Sequence, residues 1–146
     1  MFKGETEMKM DRIYGIFGLA ALVIVAVAVG LALDAGAYEM RSNRENRVRV
    51  DVKPVQLAPG QPARFEVRMN THSEALGEDM VAVSTLKDNE GREYRSTAWQ
   101  GSAPGGHHRK GVLEFPHLGD NTASITLIIK GIANVPERIF EWPVER

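Results

Sequence analysis

The side chains best suited to chemistry in this chain are its four histidines, His72, His107, His108 and His117. Imidazole binds zinc together with carboxylates and copper together with thioethers, which makes Met69 and Met80 candidate soft co-ligands. His72, His107 and His108 are accordingly the candidate ligands of an extracytoplasmic copper or zinc site. Successive side chains of a strand point to opposite faces, so His107 and His108 share an ion only if Gly105-Gly106 turns the chain there. No HxxxH pair is present to fix two ligands on one face of a helix. The plain alternative is a tight glycine turn whose histidines bond to backbone. A third reading makes His107, His108, Arg109 and Lys110 a contact loop for a protein or an anionic glycan.

Other chemistry is poorly supplied. The absence of cysteine removes disulfides, thiolate nucleophiles and iron–sulfur ligation. There is no GxSxG, no Ser–His–Asp grouping made special by its order, and no glycine cluster opening a helix to cradle phosphate. Asp79, Asp88, Glu90 and Glu93 lie near predicted turns, where solvated carboxylates are expected. The sequence therefore points to no catalytic residue and no resident cofactor. From Tyr38 onward 15 Lys and Arg balance 15 Asp and Glu, so no net field attracts nucleic acid.

The elements that must position these side chains read as strands. Val48, Val50 and Val52 alternate with Arg47, Arg49, Asp51 and Lys53, and Phe65, Val67 and Met69 alternate with Arg64, Glu66 and Arg68. Ala58-Pro59-Gly60-Gln61-Pro62 between them is a turn. Further strands are predicted at Met80–Leu86, Glu93–Trp99, Val112–Phe115, Ser124–Ile132 and Arg138–Val144. About seven strands in some 100 residues predict an immunoglobulin-like β-sandwich over 47–146, with Trp99 and Trp142 as core aromatics.

Leu57-Ala58-Pro59-Gly60-Gln61-Pro62-Ala63-Arg64-Phe65-Glu66-Val67 resembles the first-to-second strand turn of prokaryotic exported immunoglobulin-like domains. Asn70-Thr71-His72-Ser73 and Pro104-Gly105-Gly106-His107-His108-Arg109-Lys110-Gly111 resemble blocks shared by uncharacterised membrane-anchored or secreted prokaryotic proteins. The resemblance implies export and the sandwich fold; it carries over no activity and no catalytic residue.

Ahead of the domain, Ile13 to Leu33 is a run of 21 residues free of charge, proline and amide side chains. As a helix it measures about 31 Å, the thickness of a bilayer's hydrocarbon core. This predicts a tail over 1–12, a transmembrane signal-anchor over 13–33, a solvated linker over 34–46 and the β domain beyond. Arg12 abuts the span while Asp34 and Glu39 follow it, so the tail is placed in the cytoplasm and the domain outside. Ala35-Gly36-Ala37 offers a signal-peptidase site after Ala37, but the apolar run exceeds the roughly 7–15 residues of a cleaved signal. Met10-Asp11-Arg12 separates the run from where a type IV pilin would be processed. Small residues at Ala26 and Gly30, and at Ala28 and Ala32, allow a homo-oligomer through the helix. The sequence thus predicts a non-enzymatic, membrane-anchored extracytoplasmic scaffold with a protein partner at the membrane surface. Its rivals are copper or zinc binding through the histidines and an accessory single-pass subunit of a membrane complex.

Overall fold

The computed structural model describes residues 38–146. The tail, the 13–33 anchor, the Ala37 cleavage site and the start of the linker lie outside the described residues. Among those described, no helix is long and apolar enough to cross a membrane.

Alternation builds two antiparallel sheets. β1 (Arg41–Glu45), β2 (Val48–Gln56), β3 (Pro62–Thr71), β6 (Ala98–Gly101) and β7 (His108–His117) form one, in the order β1-β2-β3-β7-β6. β4 (Ser84–Asp88), β5 (Glu93–Arg95), β8 (Ser124–Lys130) and β9 (Glu137–Pro143) form the other, in the order β5-β4-β8-β9. Val48, Val50, Val52, Phe65, Val67 and Met69 turn inward from the first, and Leu86, Ile125, Leu127, Ile129, Phe140 and Trp142 from the second. Phe65 meets Phe115 edge-on at 5.7 Å and Trp142 of the facing sheet at 5.6 Å between ring centroids. The two sheets share one apolar core, in the arrangement of a β-sandwich. Trp142 is buried as expected. Trp99 is only half-buried, its indole lying beside Gly111, where a Cβ would come within 2.6 Å of the ring.

Four expectations are corrected. Residues 41–45 are not linker but an edge strand paired with β2 from Arg41↔Val52 to Glu45↔Val48. The segment before it is also fastened to the domain: Tyr38 Oη donates to Leu57 O at 3.0 Å and Trp142 Nε1 to Glu39 O at 2.8 Å. Met80–Val83 is a helical turn, α1, because the Asp79 carboxylate caps it by accepting from the Val81 and Ala82 amides. Glu93–Trp99 divides into β5 and β6, the chain crossing between sheets at Ser96-Thr97, whose hydroxyls both donate to Glu114 O. Asp88 is buried rather than solvated, accepting from the Glu90 and Arg92 amides, Arg92 Nε and Tyr94 Oη. Burial alone would raise this carboxyl, but the bonds from Tyr94, Arg92 and Glu90 outweigh it and hold the group below its ordinary value.

Candidate functional site

The histidines separate. His117 ends β7 and His108 begins it, so they stand at opposite ends of a ten-residue strand. Met69 and Met80 are fully buried in the core and offer no thioether to the surface. His107 directs Nδ1 at Glu74 O, 2.9 Å away, and must donate there because a carbonyl only accepts. His108 Nδ1 lies 2.9 Å from Asn70 Oδ1. His72 and His108 do line one cleft. Among the described residues, however, no three His, Cys, Asp or Glu side chains cluster as a metal ion requires. The expected contact loop is corrected as well: His108, Arg109 and Lys110 are strand residues, and Arg109 is buried.

The cleft holding His72 and His108 has a volume of about 510 Å³ and is lined by Arg44, Arg47, Arg49, Asn70, Thr71, His72, Ser73 and His108. Its floor follows from strand register. Arg44 pairs with Arg49, Arg49 with Asn70 and Asn70 with His108, which makes one straight row across β1, β2, β3 and β7. All four are exposed, because their neighbours Val48, Val50 and Met69 take the inward positions. The next outward row places Arg68 opposite Lys110. These two line an adjoining cleft of about 360 Å³ that shares Asn70 and His108 with the first. A wider depression of about 740 Å³ along β8 and β9 includes Arg41 and Glu141, one charge of each sign, and gathers none of the candidate residues.

Cations outnumber carboxylates here. Arg49 Nε contacts Asp51 at 2.8 Å, Arg47 reaches Glu74 at 3.6 Å, and Arg68 and Lys110 share Glu66 at 2.5 and 3.8 Å. Arg44 meets no carboxylate within 4.0 Å among the described residues. Bringing a metal cation among these guanidinium groups is unfavourable, whereas an anion finds donors on several sides.

Buried arginines hold the cleft together. Arg138 of β9 donates to Asn43 Oδ1, to Glu45 O at 2.9 Å, and to Val48 O and Ile132 O at 3.3 Å. It thereby binds the β1–β2 hairpin to the opposite sheet. Arg109 donates to Glu78 O at 2.8 Å and Leu76 O at 3.1 Å, with Trp99 stacked 5.5 Å away. Leu76 in turn pairs with Gly105 and Gly106 through backbone bonds of 2.8 and 3.1 Å, which sets the 72–76 loop against the start of β7. The hairpin closes in two residues, Asn46 and Arg47, at φ of 44° and 64°. That is the primed turn matching strand twist, and glycine usually occupies its second position. No signal of composition pointed to this cleft; pairing Asn70 with His108 is what creates it. Comparison with family models, curated proteins and solved structures finds no match to this chain.

Proposed function

We propose that the chain is a non-enzymatic binding module: an immunoglobulin-like β-sandwich, of the kind carried by exported prokaryotic proteins, held outside the cell membrane by the 13–33 helix. Its contact surface is the cleft between the β1–β2 hairpin and the start of β7. The observation that carries this reading is the row Arg44, Arg49, Asn70 and His108, aligned on the solvent side of a sheet and walled by Arg47, His72 and Ser73. A rigid sheet presenting an ordered line of donors is suited to recognition. The cleft hydroxyls favour binding over catalysis, since Thr71 Oγ1 accepts from the Ser73 and Glu74 amides and Ser73 Oγ turns to Glu74. The apolar run supports anchoring, which would confine the module to a surface and raise its local concentration there.

Photo-crosslinking side chains placed at 72 and 108, and at 126 and 139 on the other sheet, test the reading in cells that make the protein. The proposal expects adducts from the first pair and none from the second. Adducts from 126 or 139 alone, or from no site, would sink it.

A further inference from the structure

We infer that the cleft takes an acidic polysaccharide, a sugar chain bearing carboxylate, sulfate or phosphate groups. This rests on the binding reading above and names the chemistry of the ligand.

Shape and charge come first. Three strand spacings separate Arg44 from His108, roughly 14 Å, and the adjoining cleft with Arg68 and Lys110 extends the track. A single small anion would occupy a fraction of that length; a chain carrying repeated charges follows it. Guanidinium forks suit planar or tetrahedral oxyanions, and Asn70, whose Oδ1 faces His108, adds its amide nitrogen as a neutral donor for sugar hydroxyls.

The lining also selects among polyanions. Apart from the imidazoles of His72 and His108, neither cleft includes an aromatic or aliphatic side chain. Single-stranded nucleic acid is held by stacking its bases on aromatic rings. Protein interfaces centre on buried aromatic anchors with arginines beside them, and lipid surfaces take inserted apolar groups. An acidic polysaccharide can be held by charge and hydrogen bonds alone, because its hydroxyls line the ring edges and its charges sit at regular intervals.

Arg47 supplies an independent observation. It occupies a left-handed backbone conformation, φ 64°, that glycine adopts with less strain, and its side chain is exposed over the cleft. The strained residue is a cation, at the place where a cation would reach the ligand.

The test uses the full chain in nanodiscs of zwitterionic lipid, titrated by calorimetry with polygalacturonate and dextran sulfate, with neutral dextran as control. Both polyanions are expected to bind and neutral dextran is not. Arg44→Ala/Arg49→Ala should weaken binding at least about tenfold while circular dichroism shows the β fold retained. Arg95→Ala, an equal charge change per site on the other sheet, should leave binding intact. The inference is overturned if the double variant binds as tightly as the parent, or if Arg95→Ala weakens binding as much. Tighter binding of single-stranded DNA or phosphatidylglycerol vesicles than of either polysaccharide would also overturn it. Failure of every polyanion to bind, with crosslinking at 72 and 108 intact, would remove the polysaccharide and leave the binding module standing.

Discussion

Arg109 and Arg138 lie between the sheets at 2% and 0% exposure, while Arg44, Arg47 and Arg49 stand in solvent at the same end of the molecule. Burial pushes both inner guanidinium groups below their ordinary values, against the opposing pull of Glu78 and Asp79 on Arg109 and of Glu45 and Glu78 on Arg138. Carbonyl oxygens on several segments receive their donors, so each fastens separate pieces of chain. The outer arginines have few fixed partners: Arg44 meets no carboxylate among the described residues, Arg47 pairs with Glu74 in solvent, where ion pairs contribute little to stability, and only Arg49 reaches a buried carboxylate, Asp51. Residue type is thus silent about role. The number of oxygen partners already in place separates the arginines that hold the fold from those free to hold a ligand.

The largest effect should come from the inner set. Arg138→Met leaves the carbonyls of Glu45, Val48 and Ile132 without this donor and should cost about 3 kcal/mol in urea unfolding. A loss below about 0.5 kcal/mol, the scale of ordinary surface substitutions, would erase the contrast with the outer arginines.

Asp88 extends the comparison to carboxylates, being buried with four donors where Glu74 is half-exposed. Asp88→Asn should cost about 2 kcal/mol at neutral pH. Because the folded-state pKa is lowered, this contribution is present above the ordinary value of 3.8 and is lost as pH falls through the lower folded value. Urea midpoints of wild type and variant should therefore converge in strong acid; a constant gap would contradict the assignment.

Arg47→Gly sets the two roles against each other. Relieving the left-handed arginine should raise stability by about 1 kcal/mol, while polygalacturonate binding weakens severalfold. Stability and binding rising together would place Arg47 outside the contact surface. The smallest expected effect concerns metals. Zinc or copper titration should show no stoichiometric binding that His108→Ala removes, and tight binding lost in that variant would put a cation in the cleft.

What was legible in the sequence follows the same division. The inward valines of β2 and the Phe65-Val67-Met69 face of β3 announce themselves because an apolar core enforces period two. β1 does not, since its inward Asn43 meets the Arg138 guanidinium instead of hydrocarbon. Met80–Val83 carries strand-forming residues, but the Asp79 cap turns them helical. The candidate site was half visible. His72 and His108 stood out by type, yet their sharing a cleft depends on β3 pairing with β7 across a long loop, and Arg44 and Arg49 join them only through two further strand registers. Non-local pairing of that kind leaves no local trace.

The most direct test of the central claim is residue-resolved NMR of the isotope-labelled full chain in zwitterionic nanodiscs during addition of polygalacturonate. Amide shifts are predicted to concentrate at 44–49, 70–73 and 108–110 and to spare 119–124 at the opposite end of the sandwich. Shifts centred on 119–124 or on the outer face of β8 and β9, or none at saturating polyanion, would contradict the account.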